Sequence, residues 1–70
     1  MEILVFKTNL NDTKSISDVK PSLDIHPQIV KWNVDLDDRD NILRIVSDNM
    51  AALEVEQILA ATGYYCEELE

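Results

Sequence analysis

Val30-Lys31-Trp32-Asn33-Val34-Asp35-Leu36 alternates apolar and polar residues without a break, and after five intervening residues Ile42-Leu43-Arg44-Ile45-Val46 resumes an apolar, β-branched run. A two-residue period puts alternate side chains on opposite faces of a strand. The first segment therefore predicts a half-buried strand with Val30, Trp32, Val34 and Leu36 inward and Lys31, Asn33 and Asp35 in water. The intervening Asp37-Asp38-Arg39-Asp40-Asn41 is rich in short polar side chains that accept from nearby backbone N–H groups and favour turns. Residues 30 to 46 thus predict a β-hairpin, and Arg44 marks the face of its second strand that turns away from the core.

Outward from the hairpin, the chain punctuates itself into four more elements. Ile3, Leu4, Val5 and Phe6 predict a strand over residues 2 to 8 that is apolar on both faces, as a central strand is. Asp12 can cap a helix over residues 13 to 25, in which Ile16, Val19 and Leu23 recur at i, i+3 and i+7. Pro21 lies inside that helix, removing one backbone hydrogen bond and crowding the turn before it, so a kink or two short pieces are expected. His26-Pro27-Gln28 forms the connection to the hairpin. Beyond the hairpin, Ser47, Asp48 or Asn49 can cap a second helix rich in alanine, leucine and glutamate, with Val55, Ile58, Leu59 and Thr62 on one side. Gly63 suits a left-handed C-cap, and Tyr64 to Leu69 can form a short last strand.

Seventy residues hold one domain, and 46% hydrophobic content argues for a packed core. The single cysteine, Cys66, cannot form an internal disulfide, so an ordinary cytoplasmic domain is expected. The apolar run Ile3 to Phe6 is too short for a signal sequence or a membrane span, which makes the Asn11-Asp12-Thr13 sequon meaningless. Fourteen acidic against six basic residues give a net charge of −8. That charge opposes nucleic-acid backbones and anionic membrane surfaces and favours solubility and basic partners.

The order strand, helix, strand, strand, helix, strand is joined by more specific patterns. Val19-Lys20-Pro21-Ser22-Leu23, Gln28-Ile29-Val30-Lys31-Trp32-Asn33-Val34-Asp35 and Thr62-Gly63-Tyr64 fall, without a gap, on three framework motifs. These are Val-x-x-Ala-Leu, Gly-Val-x-x-Val-x-Val-Asp and Ala-Gly-Tyr of the heavy-metal-associated domain. Over nearly its whole length the chain resembles that family. The resemblance implies an α+β ferredoxin-like βαββαβ sandwich, with two helices on one face of an antiparallel sheet. The same alignment lays Asn9-Leu10-Asn11-Asp12-Thr13-Lys14-Ser15 on the family's metal loop, Gly-Met-x-Cys-x-x-Cys. Asp12 and Ser15 then stand where the family has its two metal-binding cysteines. Pro21 and a turn one residue longer after Leu36 are further departures.

Thiolates let such a loop hold Cu(I) or Zn(II), whereas a carboxylate and a hydroxyl form a hard, incomplete oxygen set. No bound metal or cofactor is expected at the degenerate loop. Asp12 reads as a helix N-cap and Ser15 as a residue bonding to its local backbone. Cys66 reads as a buried apolar filler, or else as the one-thiol remnant of a metal or redox site. His26 lies at the far end of strands roughly 17–20 Å long and cannot share a metal with Cys66. Asp35, Asp37, Asp38 and Asp40 lack the spacing and the central glycine of a calcium loop. No nucleophile and base share one end of the fold, one glycine cannot make a phosphate loop, and the first loop carries Lys14 where acylphosphatases use an arginine. The sequence therefore predicts a non-catalytic module that acts by protein–protein contact or self-association. Its surface is the uncovered sheet face, where Ile42 and Val46 flank Arg44 beside one pair from the first strand. The alternative is a metallochaperone-like carrier using Cys66, Asp12 or ligands shared between chains, and an enzyme ranks third.

Overall fold

The computed structural model describes residues 1–69. It contains β1 (Glu2–Thr8), α1 (Thr13–Asp24), β2 (Ile29–Asp35), β3 (Ile42–Ser47), α2 (Ala52–Ala61) and β4 (Cys66–Glu68). The four strands form one antiparallel sheet in the order β2-β3-β1-β4, which is the α+β ferredoxin-like arrangement. The doubly apolar strands β1 and β3 are central, as their sequences predict. Among the described residues no helix is long and apolar enough to cross a membrane.

Register decides which apolar residues form the core. Leu4 lies opposite Ile45 and Phe6 opposite Leu43 across β1 and β3, and Trp32 and Val34 continue the same two rows on β2. These rows face the helices. Phe6, Leu43 and Ile45 are fully buried there with Val19 and Leu23 of α1 and Val55 and Leu59 of α2. Leu10 and Met50 add loop residues to the same cluster.

Five local expectations are corrected. Val30 does not point inward: a bulge between Ile29 and Lys31 shifts the register, so Ile29 packs on the core and Val30 is 53% exposed. Leu36 falls beyond the end of β2, in the turn, and is exposed as well. The first helix is not two short pieces, since α1 runs unbroken through Pro21. Pro21 and Ser17, one turn before it, are both on the wet side, so the carbonyl that loses its N–H partner can turn to water.

The second helix starts later than Ser47, Asp48 or Asn49 would allow. Its N-cap is Ala51, which makes no side-chain cap bond. Ser47 is still paired in β3, and Asn49 is left-handed at φ 54. Met50 and Val55, at the N′ and N4 positions, are instead buried in one cluster, the arrangement of a hydrophobic staple. The last strand is also shorter than expected, spanning three residues.

At its other end α2 closes on Gly63 at φ +89. The Gly63 N–H donates to the Ala60 carbonyl at 3.0 Å and the Tyr64 N–H to the Leu59 carbonyl at 2.9 Å. This is the bonding of a Schellman cap. A Cβ added at Gly63 would meet nothing within 4 Å, so the cost of a side chain there is purely conformational. Gly63→Ala should therefore lower the unfolding free energy by about 1–2 kcal/mol in chemical denaturation. No measurable loss would mean the left-handed turn is absent.

Candidate functional site

The loop between β1 and α1 is built from backbone capping. The Ser15 N–H donates to Asp12 Oδ1 at 2.8 Å, the Ser15 hydroxyl donates to the Asp12 carbonyl at 2.8 Å, and the Asp12 N–H reaches Ser15 Oγ at 3.3 Å. The two residues form a reciprocal capping box, with Ser15 only 4% exposed. The Ser15 N–H and then its hydroxyl hold the Asp12 carboxyl below its ordinary range. Thr8 anchors the approach to this loop: its hydroxyl donates to the Asn41 carbonyl at 2.6 Å and accepts from the Leu10 N–H at 3.1 Å. Asn9 ties it to the start of β4, with its Oδ1 accepting from the Tyr65 N–H at 2.9 Å.

Beside the loop, the Tyr64 hydroxyl donates to Asp18 Oδ2 at 2.5 Å, and Lys14 Nζ donates to the same oxygen at 3.1 Å. Tyr64 and Lys14 both hold the Asp18 carboxyl low, and Asp18 in return pushes the Tyr64 phenol up. The sequence placed Tyr64 in a framework motif and at the start of the last strand, and its bond across to α1 carried no signal in one dimension.

Cys66 lies opposite Thr8 in the sheet and is 7% exposed within the core cluster. Burial, with a smaller contribution from the Glu56 carboxylate on α2, pushes its thiol up to about 11. Glu67 and Glu68, its sequence neighbours, are not the groups that act on it. A thiol with so little thiolate at neutral pH should react slowly with a neutral alkylating reagent. Its labelling rate should rise about ten-fold per pH unit and level off only near pH 11. Labelling at pH 7 as fast as a free peptide cysteine would contradict this burial.

His26 sits past the end of α1, with its Nε2 4.0 Å from Glu54 of α2 and its Nδ1 accepting from the Gln28 N–H. The aspartates of the hairpin turn bond their own backbone: Asp35 Oδ1 accepts from the Asp37 N–H and Asp38 Oδ1 from the Asp40 N–H. Trp32 packs against the core, and its indole N–H donates to Asp24 Oδ1 at 2.8 Å. Among the described residues, no three His, Cys, Asp or Glu side chains converge as a metal-ligand group.

The uncovered sheet face carries the complementary rows. Ile3 lies opposite Val46, which lies opposite Lys31; Val5 lies opposite Arg44, which lies opposite Asn33. The pair from the first strand that sequence left unnamed is thus Ile3 and Val5. Ile42 faces the same side, opposite Asp35, but at 7% exposure it is covered and adds little open area. Ile3, at 67%, supplies most of it.

No protein-family model matches the sequence, and no curated protein does. Solved structures match nearly the whole of this chain. The yeast copper transporter domain Ccc2a is 17% identical, with 100% of this chain and 97% of that one covered and a TM-score of 0.84. The copper(I)-loaded first domain of the human copper chaperone for SOD1, CCS, is 20% identical over 94% and 89% of the chains, with a TM-score of 0.79. Oxidized MerP from Ralstonia metallidurans CH34 is 11% identical over 99% and 97%, with a TM-score of 0.82. The fold is that of the heavy-metal-associated domain.

At the loop before α1 the capping side chains offer oxygen donors only. Asp12 and Ser15 supply hard oxygens that are already bonded to each other's backbone. The one thiol, Cys66, is buried, and burial keeps it protonated.

Proposed function

We propose that this chain is a non-catalytic, heavy-metal-associated-like module of a single domain that lacks a thiolate metal site and acts in the cytoplasm through contact with a protein partner. The observation that carries this reading is the Asp12–Ser15 capping box. At the positions where the resembling family places its thiolates, both side chains are occupied in starting a helix. What the fold then offers is a shaped surface, and the uncovered sheet face with Ile3, Val46 and Arg44 is the part of it not used by packing.

Competition against a chelator tests the reading. The reduced protein should form no one-to-one Cu(I) or Zn(II) complex that survives a submicromolar competitor, because its donors are hard, incomplete and pre-bonded. Survival of such a complex would replace this reading with a metallochaperone-like carrier, which the likeness to copper-handling domains favours as the second choice. Loss of that complex in Cys66→Ser would assign Cys66 as a ligand, and dependence on protein concentration would assign ligands shared between chains.

A further inference from the structure

The uncovered sheet face does not share the acidic excess of the chain. Fourteen acidic residues outnumber six basic ones overall, yet this face holds three of the six, Lys7, Lys31 and Arg44, against two carboxylates, Asp35 opposite Ile42 and Glu67 opposite Lys7. Lys14 and Lys20 are engaged by Asp18 and Asp24 one turn along α1, and Lys7 approaches Asp40 at 3.9 Å. Among the described residues, Lys31 and Arg44 have no carboxylate within ion-pair distance. They border a groove of about 260 Å³ lined by Ile3, Lys31, Trp32, Asn33, Arg44 and Val46, and no carboxylate lines it. Lys31 is opposite Val46 and Arg44 is two residues before Val46, so the cations are diagonal neighbours, roughly 7–8 Å apart at the backbone. The apolar pair Ile3 and Val46 lies directly beside them.

We infer that this groove receives a segment of a partner protein that carries a carboxylate next to one or two aliphatic side chains. The inference rests on the interaction role proposed above and names the chemistry of its partner. The aliphatic chains cover Ile3 and Val46, and the carboxylate accepts from the Arg44 guanidinium with Lys31 alongside. A second copy related by a two-fold axis through this face would set Lys31 and Arg44 against the same cations, which disfavours it. A nucleic acid brings a phosphate about every 1.7 Å of duplex and meets the net charge of −8 along its length, whereas a peptide needs a single carboxylate.

Peptides selected on the full chain from a random displayed library supply the probe. The enriched sequences should carry Asp or Glu beside Leu, Ile or Val, and should shift the amide resonances of Ile3, Lys31, Arg44 and Val46. Lys31→Glu with Arg44→Glu should weaken a selected peptide by about ten-fold or more, and changing that peptide's carboxylate to lysine should restore binding to the variant. Both positions are exposed, and a dispersed amide spectrum checks the fold. The same two-charge reversal on α1, Lys14→Glu with Lys20→Glu, should leave binding within about two-fold, which separates local contact from net charge. Enrichment of basic or neutral sequences, shifts confined to the helical side, undiminished binding by the sheet variant, or no enrichment would each overturn the inference while leaving the interaction role standing. A dimer abolished by Ile3→Ser would also overturn it, by giving the face to a second copy. The interaction role itself falls only to the tight Cu(I) complex described above.

Discussion

Asp12→Cys combined with Ser15→Cys should yield a protein that binds one Cu(I) at least roughly a thousand-fold more tightly than the parent chain. The resemblance aligns these two positions with the family's metal-binding cysteines, and the structure places them at the N-cap and N3 positions of α1. Two thiolates there would replace hard oxygens with soft donors, and the adjacent helix N-terminus lowers a thiol pKa and favours the thiolate. Cysteine is at ease in the buried environment of Ser15, while the helix loses its capping box, so some loss of stability should accompany the gain. Each single substitution should gain far less, since one thiolate leaves the site incomplete. Cu(I) competition with far-ultraviolet circular dichroism as a folding check reads both effects. A folded double variant that binds no better than the parent would show that the loop does not have the geometry the alignment assigns to it.

Phe6→Ala should cost about 3–5 kcal/mol, the range for removing a large aromatic side chain from a core. A chain of 70 residues has a total stability of about 4–10 kcal/mol, so this substitution should remove from about a third to all of that margin. Phe6 is fully buried on the central strand β1, with Leu43 beside it on β3 and the helices above. No disulfide exists to hold the fold while the core is emptied. Urea denaturation supplies the measurement, with Ile3→Ala as the comparison. Ile3 lies on the same strand but is 67% exposed on the uncovered face, so its truncation should stay within about 0.5 kcal/mol. Equal costs at the two positions would mean that the two faces of β1 have been assigned the wrong way round.

The opposite fates of Ile3 and Phe6 show where reading the chain runs out. Both are apolar residues of one doubly apolar strand, and no local property tells which side meets the helices. Ile42 and Ile3 make the same point on the other face: the first is covered opposite Asp35, the second is open opposite Val46. Val30 was misassigned because a bulge inserts one residue without altering the alternation of types around it. Ala51 was missed as a cap because helix starts are usually marked by a side-chain acceptor. Here burial of Met50 and Val55 sets the start instead.

Local chemistry was sufficient for the element order, for Asp12 as a cap and for Gly63 as a helix stop, because capping, left-handed turns and hydrophobic period act within a few residues of chain. The absence of a cysteine pair was likewise visible in one dimension. Tertiary structure alone decided that Ile3 and Val5 form the outer pair, that Lys31 and Arg44 share a groove with Ile3 and Val46, and that the Cys66 thiol is pushed up by burial and Glu56. These depend on strand register and on which face the helices cover. A one-residue slip would exchange every inward and outward side chain while leaving the sequence pattern unchanged.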